Sequence, residues 1–280
     1  MRCNLRLSAE ALKPGDVDLT SASSNPTGTT RSAKGPHGGS GRKPSLVEWT
    51  LPGLHGALLE RVMSLPLIDK ATPVLDLGCG TGAWLERLSR EGFTNLCGID
   101  NESFVALPKS NHFRCFHADL DHNLDLGSAG TSFGLVTAIE VLEHLHNPGW
   151  LFEQVAGHLA ENGYFLITTP NLHSLRARIR FAFTGKLAGF DFTNVAADQT
   201  HVYPVLLTCL ERILSRYGLR VAERWTYPAN RGMGSRRWAR VAEMISSMVL
   251  SNEYPGDSLC VLIRKDAAVR SNTSPHSGTA

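Results

Sequence analysis

The stretch Val74-Leu75-Asp76-Leu77-Gly78-Cys79-Gly80-Thr81-Gly82 decides the fold of this chain. A short apolar run with one acid leads directly into three alternating glycines, which indicates a buried strand followed by a tight turn. Because glycine has no Cβ and tolerates positive φ, such a turn brings bare backbone close to a ligand at the start of the next helix. The pattern predicts a nucleotide-type cofactor at the first strand-to-helix turn of a doubly wound α/β domain.

Asp76 bears on the identity of that cofactor. Gly78, Gly80 and Ala83 also satisfy the dinucleotide pattern. Asp100 lies at about the expected distance for binding a ribose, which keeps NAD open. However, a carboxylate two residues before the first glycine lies close to where a dinucleotide places its pyrophosphate, and like charges repel in a cleft. S-adenosylmethionine has a cationic ammonium and sulfonium and no phosphate, so Asp76 favours S-adenosylmethionine.

Four further apolar runs end in an acid or a proline, as strands do at the ligand-binding edge of a parallel sheet. They are Asn95–Ile99 before Asp100, Phe113–His117 before Ala118-Asp119-Leu120, Phe133–Ile139 before Glu140, and Gly163–Thr169 before Pro170. Asp100 suits bidentate hydrogen bonding to two ribose hydroxyls. Asp119 lies between two apolar residues and suits an adenine amino group whose faces they cover. Ordinary helix caps remain open as the alternative for both acids.

With these strand ends in order, the sequence resembles the class I S-adenosylmethionine-dependent methyltransferases over about Leu46 to Lys265. The resemblance implies a Rossmann-like doubly wound α/β sheet, mostly parallel with an antiparallel last strand, and helices on both faces. It also implies S-adenosylmethionine as cofactor, with the glycine turn at the methionine and sulfonium side, Asp100 at the ribose and Asp119 at the adenine. The expected cofactor-binding residues are Asp76, Gly78, Cys79, Gly80, Gly82, Asp100, Asn101, Asp119, Leu120 and Glu140.

A second group of polar residues, Glu140-Val141-Leu142-Glu143-His144, follows the fourth predicted strand. If this run opens a helical turn, the spacing i, i+3, i+4 places Glu140, Glu143 and His144 on one face. His201 precedes a later predicted helix and is placed to approach the same cleft. Two carboxylates and an imidazole at this position are either a general-base cluster or ligands for a divalent cation.

The Glu-x-x-Glu-His run resembles that of the ubiquinone-biosynthesis O-methyltransferases. It also resembles that of the small-RNA 3′-end 2′-O-methyltransferases, where the run and a later histidine bind a divalent metal. By this resemblance the candidate ligands for Mg²⁺ or Mn²⁺ are Glu140, Glu143, His144 and His201. The candidate catalytic residues are Glu143, His144 and His201. The segment Val202-Tyr203-Pro204 lacks the aromatic-basic signature of the RNA enzymes, which argues against RNA. A metal-free role, in which Glu143 and His144 position helix and substrate, remains open.

The implied reaction is transfer of the methyl group of S-adenosylmethionine to an oxygen, or less favourably a nitrogen, of a small molecule. Because the sulfonium already activates the leaving group, the enzyme must chiefly align the acceptor for in-line attack and make it nucleophilic. Two other functions stay open: a metal-assisted RNA or nucleotide 2′-O-methyltransferase, and a non-catalytic cofactor-binding module of the same fold.

The composition of the 280 residues predicts one domain with flexible ends. Residues 1–43 and 266–280 are rich in small polar residues and are predicted to be disordered, while residues 44–265 form the domain. A net charge of +2 does not favour nucleic acid or an anionic membrane as the main partner. No apolar run is long enough to span a bilayer, and six scattered cysteines indicate a reducing, cytoplasmic setting.

Two insertions, 171–200 and 226–256, are predicted to define the methyl acceptor. The first mixes basic and aromatic residues, which fits either an acceptor-binding surface or an ordinary helix with its arginines outward. The residues that such a helix would turn inward are Leu172, Leu175, Ile179 and Phe183. The second insertion has apolar residues at helical spacing between Arg231 and Leu250. A packed helix, a lid over the acceptor, a homodimer contact and a membrane-surface helix all remain open for it.

Overall fold

A computed structural model describes residues 47–101, 108, 110–122, 124, 126, 129, 132–190, 201–228 and 253–265. Contacts divide the chain into residues 1–43 and 44–280, and the fold below belongs to the second unit. The strands are β1 (Val74–Leu77), β2 (Leu96–Asp100), β3 (Arg114–His117), β4 (Phe133–Ile139), β5 (Leu159–Pro170), β6 (Leu219–Tyr227) and β7 (Ser258–Lys265). The helices are α1 (Leu54–Met63), α2 (Ala83–Arg90), α3 (Pro148–His158), α4 (Leu175–Thr184) and α5 (Leu207–Ser215). The segments predicted to be disordered, 1–43 and 266–280, lie outside the described residues.

The sheet has the strand order β3-β2-β1-β4-β5-β7-β6. Neighbours from β3 to β5 are parallel, whereas β7 pairs antiparallel with both β5 and β6. The prediction of a mostly parallel sheet with an antiparallel last strand is therefore confirmed. The strand order reverses between β1 and β4, and ligands of such sheets bind at the carboxyl ends of the strands beside this reversal.

Helices cover both faces of the sheet, as predicted. Val74 of β1 lies in one apolar cluster with residues of α1 and α2, and its neighbour Leu75 lies in a second cluster with residues of α3 and α5. This alternation follows from the strand geometry, which points successive side chains to opposite faces. Among the described residues, no helix is both long and apolar enough to cross a membrane.

Side chains fix where several helices begin. Asn147 accepts a hydrogen bond from the Trp150 amide at the start of α3, and Ser174 does the same for Ala177 in α4. The sequence predicts a helix over 204–217, but α5 covers only Leu207–Ser215. The first amide of α5, Leu207 N–H, donates to Nε2 of His173 at 3.2 Å. The imidazole of His173, which is distant in sequence, thus takes the place of a side-chain cap at the residue before the helix.

The prediction that Phe183 points inward is wrong. Leu175 and Ala177 in the first turns of α4 are buried, whereas Phe183 is 86% exposed and Phe181 is 52% exposed. In the part of the chain that the structure describes, α4 is buried at its first turns and not at its last, so Phe181 and Phe183 remain in contact with water. The remainder of the two predicted insertions, 191–200 and 229–252, lies outside the described residues.

Gly98 of β2 provides a test of this packing. A Cβ there would lie 2.7 Å from Cδ1 of Leu85 and 2.8 Å from both Cβ and Sγ of Cys79. We expect Gly98→Ala to lower the free energy of unfolding by about 1–3 kcal/mol in urea denaturation. Gly56 of α1 has no described atom within 4 Å of its Cβ position, so Gly56→Ala is the matched control and should stabilise by roughly 0.5–1 kcal/mol. Equal effects of the two substitutions would contradict the packing.

Candidate active site

The turn between β1 and α2 requires its three glycines. Gly78, Gly80 and Gly82 have φ values of 73°, 50° and 79°, which side-chain-bearing residues rarely adopt. A Cβ at Gly78 would lie 2.5 Å from Cγ2 of Val141, and one at Gly82 would lie 3.0 Å from Cζ of Phe113. The turn therefore presents bare backbone at the carboxyl edge of the sheet, where a cofactor was predicted. Binding of the cofactor by these residues stays a prediction.

Asp100 holds the glycine turn in place from the end of β2. Its carboxylate accepts hydrogen bonds from the amide of Gly80 and, at 2.7 Å, from that of Asn101. The amides of Gly78 and Cys79 both donate to the carbonyl of Ile99, at 2.8 and 3.0 Å. Because carboxylate oxygens have further lone pairs, Asp100 retains the capacity to accept from a ribose hydroxyl, as the sequence predicts.

Asp76 is a buried acid next to this turn. Its Oδ1 accepts a hydrogen bond of 2.6 Å from the hydroxyl of Thr137 in β4. Burial raises the pKa of the Asp76 carboxyl to about 7; the Thr137 hydrogen bond opposes the rise, and the nearby Asp100 charge adds to it. A cation bound beside Asp76 would stabilise its ionised form, which is the interaction that the sequence predicts with the sulfonium compound.

Asp119 and Leu120 follow β3 at the same edge. Asp119 is exposed and accepts a hydrogen bond of 2.9 Å from the amide of Asp121, while its second oxygen lies 3.4 Å from Nδ1 of His122. Leu120 is buried. Asp119 thus supports its own turn in this structure, and its contact with adenine stays a prediction.

The segment before α1 contributes a residue that the sequence analysis missed. Cβ of a side chain at Gly80 would lie 3.6 Å from the indole ring of Trp49, which is itself 57% exposed. The hydroxyl of Thr81 donates to the carbonyl of Val47 at 2.8 Å, and Glu48 forms an ion pair with Arg87 of α2. These contacts place Trp49 against the glycine turn. No local sequence pattern connects Trp49 with a turn thirty residues later.

Glu140 does not lie on one helical face with Glu143 and His144, so that expectation is wrong. Glu140 has a positive φ of 54° at the end of β4, and the helical turn that follows is a single 3₁₀ turn, Leu142–His144. One carboxylate oxygen of Glu140 accepts hydrogen bonds of 2.9 Å from the hydroxyls of Thr168 and Ser258. Glu140 therefore links the ends of β4, β5 and β7.

The structure brings together the other three candidates, Glu143, His144 and His201. One potential ligand atom from each lies within 4.8 Å of the others. The imidazole rings of His144 and His201 pack edge to face with centroids 4.6 Å apart. His201 reaches the 3₁₀ turn because the amides of the two residues after it, Val202 and Tyr203, donate to the carbonyl of Glu143 at 2.7 and 3.0 Å.

Glu143 is fully buried, and among the described residues neither of its carboxylate oxygens makes a hydrogen bond of normal geometry, although the Thr169 hydroxyl and the Glu140 carboxyl lie near enough to shift its pKa. Burial raises its pKa well above the usual value, and repulsion by the Glu140 carboxylate adds to the rise. The hydroxyl of Thr169 is also buried without a partner in the part of the chain that the structure describes. Such atoms are costly unless they serve a bound group, so they mark this cluster as the polar centre of the site.

Comparison with known proteins gives one family and a common fold. Residues 53–224 match a family model described as a methyltransferase domain. A ubiquinone biosynthesis O-methyltransferase from Bradyrhizobium diazoefficiens is 33% identical over 107 residues, which cover 35% of this chain and 40% of that protein. A methyltransferase structure from Mesorhizobium loti has a TM-score of 0.53 at 19% identity, covering 76% of this chain and 99% of that one. One from Archaeoglobus fulgidus has a TM-score of 0.52 at 22% identity, covering 75% and 92%.

The solved structures and the curated relatives support different conclusions. Both solved structures are named as S-adenosylmethionine-dependent methyltransferases, and at 19% and 22% identity they establish the fold alone. The chain spans about half the length of the curated relatives it matches: the matched regions cover 40%, 42% and 60% of three ubiquinone biosynthesis O-methyltransferases.

The pKa of Asp76 leads to a test with S-adenosylhomocysteine, which retains the cationic ammonium. Because the ligand prefers the ionised carboxylate, we expect affinity to rise with pH up to about 7 and then level off. Below that pH the loss approaches about tenfold per pH unit in calorimetric titrations. Asp76→Asn should bind weakly and lose this dependence, and adenosine, which lacks the ammonium, is the control ligand. Equal pH profiles for wild type and Asp76→Asn would contradict this assignment.

Proposed function

This chain belongs to the methyltransferase domain family, and we propose that it transfers the methyl group of S-adenosylmethionine to a hydroxyl of a small molecule. The observation that carries the proposal is the cluster of Glu143, His144 and His201 beside the glycine turn. Val141, which precedes the cluster, packs against Gly78 of that turn. Relatives named ubiquinone biosynthesis O-methyltransferases support oxygen as the acceptor atom.

The proposed reaction is an in-line displacement. The acceptor oxygen attacks the methyl carbon, the carbon–sulfur bond breaks with its electron pair going to sulfur, and the hydroxyl proton goes to a base. His201 suits the base because burial lowers its pKa below the usual value, more than the Gly189 backbone raises it, so the imidazole is neutral near pH 7. Glu143 and His144 position His201 and the acceptor. The glycine turn and Asp76 hold the cofactor.

As the alternative to a histidine base, we propose that the cluster binds a divalent cation; His201 would then be a ligand, and the acidified acceptor hydroxyl would lose its proton to water. The buried, unpartnered carboxylate of Glu143 and two adjacent imidazoles fit such an ion. One carboxylate and two imidazoles suit Mn²⁺ better than Mg²⁺, which prefers oxygen ligands. When bound there, the cation would lower the pKa of the acceptor hydroxyl. Glu140, a predicted ligand, is held by Thr168 and Ser258, so we leave it out of the ligand set and assign it a positioning role.

A nucleic acid or nucleotide is the second candidate acceptor. The observation in its favour is the exposed surface of α4, where Phe181 and Phe183 lie among arginines. The exposed arginines are Arg176, Arg178 and Arg180. Exposed basic and aromatic side chains bind single strands by phosphate contacts and base stacking. This candidate predicts binding that weakens steeply with salt.

The donor and the acceptor class are tested together by incubating the full chain with labelled S-adenosylmethionine. The acceptor panel holds catechols, hydroxyquinones, sugars, amines and short RNA, each with Mn²⁺, Mg²⁺ or a chelator. We expect transfer to a hydroxylated small molecule. Transfer to RNA alone would establish the second candidate. Cofactor binding without transfer to any acceptor would favour a non-catalytic module, and tight NADH binding without S-adenosylhomocysteine binding would refute the proposal.

Variants of the cluster separate catalysis from folding. We expect Glu143→Gln and His201→Asn to lower kcat/KM by about 10²–10⁴-fold and to abolish Mn²⁺ binding measured by electron paramagnetic resonance. Because Glu143→Gln replaces a buried ionisable carboxyl by a neutral amide of the same size, its Tm without metal should equal or exceed that of the wild type. The matched control is His146→Asn, an exposed histidine of the same loop that contacts Asp121. Full activity of Glu143→Gln in chelator would exclude both the metal and a catalytic role for Glu143.

A further inference from the structure

Two cysteines that are far apart in sequence meet beneath the glycine turn. The register of the sheet pairs Gly98 of β2 with Cys115 of the edge strand β3, so both residues face the same side. Because Gly98 has no side chain, the thiol of Cys79 fills the space above it, with Sγ 2.8 Å from the position of the missing Cβ. The two cysteines pack in the same apolar cluster on this face of the sheet.

The other described cysteines are not placed next to this pair on this face of the sheet. Cys79 and Cys115 lie in the apolar cluster on the α1 and α2 face, whereas Cys97 points to the opposite face. Cys209 is exposed on α5, and Cys260 belongs to the same cluster as the pair but lies on β7, which three strands separate from β2. None of these five described cysteines is in a disulfide. Only the first two are therefore placed for mutual reaction in the part of the chain that the structure describes.

The thiols of Cys79 and Cys115 differ in exposure and in pKa. Cys115 is half-buried at the edge of the sheet and Cys79 is buried, so a small oxidant in solution meets Cys115 first. The interaction of the two thiols lowers the pKa of Cys115 and raises that of Cys79. Because the thiolate is the nucleophile, Cys115 is the sulfur that reacts first, and Cys79 is the second sulfur at hand.

We propose that Cys79 and Cys115 are a peroxide-reactive dithiol whose disulfide weakens cofactor binding by the glycine turn. The Cys115 sulfur attacks hydrogen peroxide, the O–O bond breaks, and a sulfenic acid and one water form. The Cys79 sulfur then attacks that sulfenic acid, forming the S–S bond and releasing a second water. Overall, two thiols lose two electrons and two protons, and one peroxide is reduced to two waters.

The effect on binding follows from the position of Cys79 between Gly78 and Gly80. The amide of Cys79 donates to Ile99, and that of Gly80 donates to Asp100, so the turn is held by backbone contacts on both sides of the thiol. A covalent bond to β3 draws Cys79 away from its place above Gly98 and shifts these amides. This part of the inference rests on the proposed function, whereas formation of the disulfide does not.

The test begins with the fully reduced chain and one equivalent of hydrogen peroxide. Remaining thiols are alkylated, and the protein is digested with trypsin without reduction. Cys79 falls in the peptide 71–87 and Cys115 in the peptide 115–176, each with a single cysteine. We expect these two peptides to be joined, with the mass of two hydrogens lost. Separate alkylated peptides, or oxidation of Cys115 to sulfinic acid without a link, would overturn the proposal.

The second readout is calorimetric binding of S-adenosylhomocysteine before oxidation, after it, and after dithiothreitol. We expect oxidation to weaken affinity by about tenfold or more, within the usual range of coupling between sites, and dithiothreitol to restore it. Cys115→Ser should keep its affinity under peroxide, with Cys115→Ala as the substitute if the serine variant does not fold. The matched control Cys209→Ser should respond as the wild type does.

The two readouts distinguish the possible failures. A disulfide with unchanged affinity would overturn the control of cofactor binding. If the reduced chain does not bind S-adenosylhomocysteine at all, the proposed function fails, and the joined peptides still decide whether the dithiol exists.

Discussion

The contact between Val141 and the bare backbone of Gly78 joins the glycine turn to the segment that carries Glu143 and His144. A methyl group of Val141 occupies the space that a side chain at Gly78 would need, so the glycine turn and the segment after β4 pack directly against each other. In the proposed function, this contact fixes the separation between the cofactor-binding turn and the acceptor-binding cluster. Methyl transfer depends on such alignment, since the attacking oxygen, the methyl carbon and the sulfur must lie in line.

Two buried acids at the carboxyl edge of the sheet are unfavourable for stability and therefore indicate a functional site. Asp76 and Glu143 are both buried, and burial raises the pKa of each. Asp76 has a hydroxyl partner in Thr137, whereas the carboxylate of Glu143 has none among the described residues. Apolar residues would fit these places at lower cost, and a protein retains ionisable groups in its interior chiefly at functional sites.

Local patterns predicted most of the fold and only part of the site. The glycine turn and the strand ends depend on neighbours in sequence, whereas the antiparallel last strand was implied by the family resemblance; the structure agrees with all three. The position of Glu140 was mispredicted because its left-handed φ and its bonds to Thr168 and Ser258 depend on other strands. The meeting of Cys79 with Cys115 requires an empty place at Gly98, which becomes visible only when strand register is known.

Trp49 gives the molecule an internal optical reporter. Its indole lies against Gly80 and remains more than half exposed to water, so we expect a molecule that displaces this water to change the contribution of Trp49 to the emission of the five tryptophans. Occupancy of the neighbouring turn is thus accessible to a spectroscopic measurement that needs neither a label nor a known acceptor.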